Sequence, residues 1–313
     1  MTLDDLALME RIRFFEETVS DLRKASIVVG SVHLGNGQEA IAVGAVGARR
    51  PGDRVVATYR GHGWALACGV APAALFAELL GRESGVNRGR GGSAHLSAID
   101  VDFLGENSIV GAGAPIACGA ALSAKREGAG RAVIVVFGDG AMNQGAVHES
   151  MNFAAYLNLP VVFICENNRY SELTPIDEMV RMKELYRRAE AYGFPSRRID
   201  GNDVDAVRAA VSEYLELARR GEGPALIEAM TQRIVGHYYG DLQGYRPRGE
   251  VTQALLEEPI VRARAALIAS GTATAEELAA LSARVRAEID AASAAAQAAP
   301  LAAAEHVREH LYA

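Results

Sequence analysis

Two short apolar segments, separated by a stretch of helical periodicity, constrain the fold of this chain more than any other feature. Residues 133–137 and 161–165 are rich in β-branched side chains, as buried strands of a parallel sheet are. Between them, Val147, Met151 and Ala154 recur at helical spacing. A strand–helix–strand unit has a right-handed crossover, so both strands end at the same edge of the sheet. The pattern predicts a doubly wound, mainly parallel α/β sheet with helices on both faces.

Polar side chains follow both strands at the edge where open α/β sheets bind ligands. The first strand runs into Gly138-Asp139-Gly140, and the second runs into a Glu-Asn-Asn segment that ends at Asn168. We expect Asp139 and Asn168 to lie side by side and to offer oxygen ligands to Mg²⁺. The flanking glycines permit a tight turn and a close approach of a diphosphate. The alternative is an ordinary strand-to-helix turn followed by an asparagine-rich loop.

A third predicted strand, residues 55–57, ends in a segment that carries Tyr59, Arg60 and His62 among glycines. An arginine at a strand end can grip phosphate oxygens in a fork, and an imidazole can exchange a proton near neutral pH. Histidines in loops are more often simply solvated, so the spacing alone leaves the role of His62 open. The same holds for His237, which lies in a loop after a later predicted strand.

Composition excludes several classes of protein. Half of the 313 residues are apolar, which is ample for one large core, and the net charge of −7 without a basic run gives no indication of a nucleic-acid or membrane partner. No apolar stretch reaches membrane-spanning length, and the first residues lack the apolar segment of a signal peptide. Cys68, Cys118 and Cys165 lie far apart among apolar residues. We therefore expect buried, reduced thiols and a cytoplasmic protein.

The periodicity elsewhere predicts a largely helical periphery. Residues 3–28 form an amphipathic helix, residues 108–110 form a short β run before a helix of small residues, and a helix extends to Tyr192. Asp203 is placed to cap a helix over residues 204–219.

The last part of the chain is predicted to be helical. A capping box at Thr274 precedes an amphipathic segment, and an alanine-rich stretch follows it. We therefore expect an α/β domain over residues 1–255 and a helical extension over residues 256–313.

Several motifs together resemble the alpha subunits of 2-oxoacid and acetoin dehydrogenase complexes. Gly-Asp-Gly followed about thirty residues later by Asn-Asn is similar to the thiamine diphosphate motif, and it stands within FGDGAMNQG and ICENNRYSE. The likeness continues in HLGNGQEAIAVG, TYRGHG, RGRGGSAH, ENSIVGAGAPIACGAAL and GHYYGDLQGYRP, and it spans roughly residues 4–264.

The resemblance assigns roles to the residues described above. It implies that Asp139, Asn168 and the Tyr170 carbonyl hold Mg²⁺, and that His62 and His237 are the catalytic histidines, with His237 also close to the diphosphate. The residues expected to contact thiamine diphosphate are Tyr59, Arg60, Ser108, Val110, Gly138, Asp139, Gly140, Ala141, Asn168, Tyr170 and His237.

The resemblance also implies a reaction and partners. The substrate would be acetoin or a related hydroxyketone or 2-oxoacid, and its acyl unit would pass oxidatively to the lipoyl group of an acyltransferase component. Single-chain members carry an activating glutamate on a second α/β domain, for which 313 residues leave no room. A separate beta subunit would therefore supply this glutamate in an α₂β₂ assembly.

The motif around His237 resembles that of acetoin dehydrogenase alpha subunits. Tyr238 follows the histidine, where mitochondrial pyruvate and branched-chain subunits carry a serine that is phosphorylated. Gln232 and Trp64 depart from the acetoin pattern, so a pyruvate or branched-chain 2-oxoacid dehydrogenase alpha subunit is the alternative. Two alternatives of a different class are a Rossmann-like protein that binds a magnesium nucleotide and a non-catalytic subunit.

Overall fold

A computed structural model describes residues 1–309, and six parallel strands form its central sheet. They are β1 (Arg54–Val56), β2 (Phe103–Gly105), β3 (Val133–Gly138), β4 (Val161–Asn167), β7 (Ser196–Asp200) and β8 (Ala225–Met230). Two short strands, β5 (Tyr170–Ser171) and β6 (Thr174–Pro175), form a separate antiparallel pair. Their order across the sheet is β2-β1-β3-β4-β8-β7.

Helices surround the sheet. They are α1 (Leu3–Lys24), α2 (Glu39–Gly47), α3 (His62–Cys68), α4 (Pro72–Leu79), α5 (Gly113–Glu127), α6 (Gly145–Tyr156), α7 (Ile176–Met179), α8 (Val204–Arg219), α9 (Glu250–Leu256), α10 (Pro259–Ala269) and α11 (Ala275–Ala298). Shorter 3₁₀ segments cover Ile99–Val101, Asp139–Asn143, Leu185–Tyr192 and Ala304–Arg308. Within residues 1–309, no helix combines the length and apolar character needed to cross a bilayer.

Apolar cores lie on both faces of the sheet. Successive residues of a strand point to opposite faces, so Ile134 and Val136 join one cluster while Val133 and Val135 join the other. The first cluster packs beneath α1, α2 and α8, and the second packs beneath α5 and α6. The predicted doubly wound α/β architecture is thereby confirmed.

The predicted strand–helix–strand unit is present as β3, α6 and β4. The two strands pair in parallel from Val133 opposite Val161 to Gly138 opposite Glu166. Because this register brings both strands to their ends together, Asp139 and Asn168 leave the sheet at the same edge. The other caps also follow the sequence pattern, since Asp203 accepts two N–H bonds at the start of α8 and Thr274 opens α11 with its capping box.

Two predicted elements are wrong. Residues 108–110 form a turn, and the strand lies earlier, at Phe103–Gly105. The Asn107 side chain accepts the Ile109 N–H at 2.8 Å, which closes a turn that the β-branched residues alone would not predict. The helix expected to reach Tyr192 is instead the single turn α7 and a 3₁₀ segment, because the backbone becomes extended at Val180.

The C-terminal helices pack on the same core as the sheet. Apolar side chains of α10 and α11, including Leu267, Leu278 and Val285, belong to one cluster with side chains of α1 and α4. The three cysteines are buried and free, as expected. The division at residue 255 stays a prediction.

We expect Leu278→Ala to lower the free energy of unfolding of the whole chain. Leu278 is 1% exposed, and truncating a buried leucine costs about 2–5 kcal/mol. Leu256→Ala is the matched control, because Leu256 is 65% exposed and its loss should change stability by less than about 0.5 kcal/mol. Urea unfolding followed by circular dichroism measures both. A separate early transition for the C-terminal helices would contradict a shared core.

Candidate active site

A cleft of about 550 Å³ opens at the edge of the sheet where β1, β3 and β4 end. The structure brings together in this cleft every residue that the sequence predicts to contact the cofactor. These residues are Tyr59, Arg60, Ser108, Val110, Gly138, Asp139, Gly140, Ala141, Asn168, Tyr170 and His237. Their roles stay predictions, whereas their proximity is a property of the fold.

Asp139 and Asn168 present oxygen atoms at the base of the cleft. Oδ1 of Asp139 accepts the Gly140 N–H at 2.9 Å, while its buried Oδ2 has no hydrogen-bond partner. Burial raises the pKa of this carboxyl to about 6. The Asn168 amide donates to Gln38 Oε1 at 2.9 Å, and its Oδ1 accepts the Tyr170 N–H at 3.3 Å. A buried carboxylate oxygen beside an amide oxygen is suited to a hard cation.

Glycines leave the cleft open beside Asp139. A Cβ atom added at Gly138 would meet no atom within 4 Å, so this side of the turn faces open space. A Cβ atom at Gly140 would lie 2.4 Å from Ser171 Oγ, so only glycine allows β5 to approach. The turn therefore combines a close backbone approach on one side with room for a ligand on the other.

Two buried guanidinium groups make the opposite part of the cleft positive. Arg60 donates to the Leu34 carbonyl and, at 3.0 Å, to the His237 carbonyl. Arg233 donates to His237 Nδ1 and to the Glu172 carbonyl, each at 2.9 Å. Among residues 1–309, neither group has a carboxylate within salt-bridge distance. Burial lowers the pKa of Arg233 to about 10, which still leaves it charged at neutral pH. Buried cations without a counter-ion favour an anionic ligand.

Two histidines of the cleft are neutral at physiological pH. Burial and then the Arg60 charge lower the pKa of His33 to about 4 and that of His237 to about 3. The rings lie edge to face, with centroids 5.0 Å apart, and Tyr59 lies 4.5 Å from His33. The buried Nδ1 of His33 has no hydrogen-bond partner. His33 was not among the predicted site residues, although it is the first residue of the motif HLGNGQEAIAVG.

His62 does not lie in the cleft, contrary to expectation. It is the first residue of α3, is 0% exposed, and is absent from the residues that line the cleft. Its Nδ1 lies 2.8 Å from Glu16 Oε2 and its Nε2 lies 3.0 Å from Ser93 Oγ, so both ring nitrogens are already engaged. The physical reason is that the helix begins directly after Gly61 and turns the imidazole inward, where the Glu16 carboxylate stabilises it.

Glu166 is a further cleft residue that the sequence analysis did not single out. It is buried, accepts a hydrogen bond from Trp64 Nε1 at 3.2 Å, and has a pKa raised to about 7 by burial. The described part of the chain contains no group of three or more His, Cys, Asp and Glu side chains suited to a metal ion. A cation at Asp139 would therefore need amide, backbone and ligand oxygens to complete its coordination.

Comparison with known proteins identifies a family and several relatives. The family model described as "Dehydrogenase E1 component" matches residues 7–305. The chain is 43% identical to the alpha subunit of acetoin:2,6-dichlorophenolindophenol oxidoreductase from Bacillus subtilis, over 81% of this chain and 76% of the relative. It is 41% identical to the protein of the same name from Cupriavidus necator, over 93% and 88%. It is 40% identical to the pyruvate dehydrogenase E1 component subunit alpha of Rhizobium meliloti, over 88% and 79%.

We expect mild acid to destabilise the chain through His33 and His237. Their folded-state pKa values of about 4 and about 3 lie below the ordinary histidine value of about 6.5, so the unfolded chain binds protons more readily. The stability that these groups contribute is fully present above about pH 6.5 and is lost as the pH falls toward their folded-state values.

Urea midpoints measured between about pH 7.5 and 5 test this expectation. His33→Gln and His237→Gln should each flatten the decline, because glutamine does not titrate in this range. His306→Gln, which changes a histidine that does not line the cleft, should keep the wild-type slope. An unchanged slope in both cleft variants would contradict the assignment.

Proposed function

The chain belongs to the dehydrogenase E1 component family, and on this premise we propose that it is the alpha subunit of a thiamine-diphosphate-dependent dehydrogenase that cleaves acetoin or a related hydroxyketone. The acyl unit passes oxidatively to the lipoyl group of an acyltransferase component. The proposal rests mainly on the buried Asp139 Oδ2, which has no hydrogen-bond partner. It lines the same cleft as Asn168 and as two guanidinium groups that have no carboxylate partner among residues 1–309.

The cleft residues fit a magnesium ion and a diphosphate. Asp139, Asn168 and the Tyr170 carbonyl would hold Mg²⁺, and the backbone from Gly138 to Ala141 would lie against the diphosphate. A cation beside Asp139 relieves the cost of burying its carboxylate, because an opposite charge favours the ionised form.

Further residues would position the rest of the cofactor. Arg60 and His237, with Tyr59 beside them, would face the diphosphate, while Ser108 and Val110 on the rim would contact the aminopyrimidine. Thiamine diphosphate, when bound, supplies the electron sink that stabilises the carbanion formed on cleavage. The protein contributes position and electrostatics.

We assign proton transfer near the substrate to His33 instead of His62. His33 lines the cleft with an unpartnered Nδ1, whereas both nitrogens of His62 are engaged outside it. The negative charge of a bound diphosphate would raise the pKa of His33 and of His237 toward the ordinary value, since an opposite charge favours the protonated form. His237 also receives the Arg233 hydrogen bond, which suits it to ordering its loop and the diphosphate.

A beta subunit would complete the site. Ile109 and Val110 on the rim of the cleft are 70% and 39% exposed, which leaves an apolar edge for a partner to cover. That partner would supply the glutamate that activates the aminopyrimidine, in an α₂β₂ assembly. The relatives named as acetoin and as pyruvate enzymes are similarly close, so the oxoacid reaction is the second candidate.

We expect Asp139→Asn to weaken magnesium-dependent binding of thiamine diphosphate by more than about 100-fold, because it leaves the metal without its anionic ligand. Titration calorimetry on the complex with the beta subunit measures the affinity. Asp177→Asn is the matched control, because Asp177 is 57% exposed and lies outside the cleft, paired with Lys183. Unchanged affinity in Asp139→Asn would remove the basis of the proposed site.

We expect the purified chain to be catalytically inactive by itself and to turn over acetoin once the beta subunit is added, because the beta subunit supplies the activating glutamate. With 2,6-dichlorophenolindophenol as the acceptor, kcat/KM for acetoin should exceed that for pyruvate and for 2-oxoisovalerate by at least about tenfold. The Asp139→Asn complex sets the background rate. A clear preference for either oxoacid would overturn the substrate assignment, and activity of the chain alone would overturn the requirement for a partner.

A further inference from the structure

Three polar side chains form a continuous bridge behind the cleft. Glu16 on α1, His62 at the start of α3 and Ser93 in the loop before β2 are all buried. Glu16 Oε2 lies 2.8 Å from His62 Nδ1, and His62 Nε2 lies 3.0 Å from Ser93 Oγ. We call this set the Glu16–His62–Ser93 bridge.

Each end of the bridge is attached to a segment that lines the cleft. The second carboxylate oxygen of Glu16 accepts the Gly35 N–H at 2.8 Å, two residues after His33. At the other end, Ser93 directly precedes Ala94, which lines the cleft together with His33. The bridge therefore connects two parts of the cleft wall that lie about sixty residues apart in the chain.

The charges around His62 favour two donated hydrogen bonds. Burial opposes protonation, but the Glu16 carboxylate and then Glu106 raise the pKa of His62 above its ordinary value. Burial raises the pKa of Glu106 itself to about 8, so Glu16 is the main counter-ion, with the Arg60 charge nearby. A protonated imidazole donates from both nitrogens, so it can hold Glu16 and Ser93 at once.

The loop that carries Ser93 also has an anchor of its own. The buried Glu78 carboxylate accepts the backbone N–H groups of Asn87, Gly89, Gly91 and Gly92. Because Glu78 holds the first part of the loop, losing the His62 contact should shift only its end, near Ala94. A change at His62 therefore leaves the first part of the loop anchored.

We propose that His62 is a positioning residue, which fixes the His33 segment through Glu16 and the Ala94 segment through Ser93. The inference rests on the proposed function for its effect on turnover. Its structural part, the mechanical link between the two segments, stands independently.

Reciprocal substitutions separate the two arms of the bridge. In His62→Asn the amide nitrogen takes the place of Nδ1 and retains the bond to Glu16, whereas in His62→Gln it takes the place of Nε2 and retains the bond to Ser93. Ser93→Ala removes a single hydroxyl group and tests the second arm even if the His62 variants fail to fold. His148→Asn is the matched control, because His148 bonds Tyr192 at 2.7 Å and does not line the cleft.

Amide hydrogen exchange, measured on the complex with the beta subunit and without cofactor, reports the link directly. His62→Asn and Ser93→Ala should speed exchange in residues 93–97, and His62→Gln should speed it in residues 31–37. Each variant should lower kcat/KM by roughly 5- to 10-fold, the effect of one lost hydrogen bond. Combining His62→Asn with Ser93→Ala should add nothing further, because both break the same bond. The pH profile of kcat/KM should keep both of its limbs in every variant.

Two results would overturn the inference. The first is a fall in kcat/KM of more than about 100-fold in both His62 variants, together with the loss of one limb of the pH profile and unchanged hydrogen exchange. This result would make His62 a catalytic acid or base. The second is that the His62 variants have the same exchange and kcat/KM as His148→Asn, or that Ser93→Ala changes neither quantity. This result would show that the bridge does not position the cleft segments. If the variants alter exchange as expected but the wild-type complex binds no thiamine diphosphate, the bridge stands and only the proposed function is refuted.

Discussion

The parallel pairing of β3 with β4 fixes where this molecule can carry out chemistry. Because Gly138 lies opposite Glu166 in that register, the carboxylate of Asp139 and the amide of Asn168 leave the sheet at one edge. The same turn buries a carboxylate oxygen without a partner, a state that is costly unless a cation is nearby. On the other side, Arg60 and Arg233 hold two positive charges without counter-ions, and burial together with these charges lowers the pKa of His33 and of His237. These charges fit the metal–diphosphate ligand proposed for the cleft, because its cation would offset the Asp139 carboxylate and its phosphates would offset the two guanidinium groups.

Sequence patterns predicted the parts of this arrangement that depend on local periodicity. The strands at 133–137 and 161–165 were identifiable because each is a short β-branched run that ends at glycine or polar residues. The right-handed crossover between them then placed Asp139 beside Asn168. The cleft-lining residues around them followed from the family motifs. The cap at Asp203 was equally accessible, since its signal lies within a few residues of the helix start.

The errors arose where a distant contact decides the direction of a side chain. His62 was expected to face the ligand, but Glu16, 46 positions earlier on α1, draws the imidazole into the interior. His33 was overlooked because no strand end precedes it, and only the packing of its segment against Tyr59 and His237 brings it into the cleft. At residues 108–110, β-branched side chains outweighed the turn signal of Asn107. Periodicity locates elements, whereas these side chains are oriented by tertiary contacts that no local pattern contains.

The dependence on Glu16 gives the C-terminal helices a part in the site. Helix α1 contacts α11 as well as α2 and α3, and Arg11 forms an ion pair with Glu288 of α11 at 2.8 Å. Exposed ion pairs of this kind contribute little, so the apolar contacts of α11 are what hold α1 in place. Since α1 carries the carboxylate that pairs with His62, the proposed positioning role of His62 implies that a movement of this helix would reach Gly35 and Ser93, which adjoin the cleft segments of His33 and Ala94. No residue between 256 and 309 lines the cleft, yet the helices of this segment can in this way influence the geometry of the proposed cofactor site.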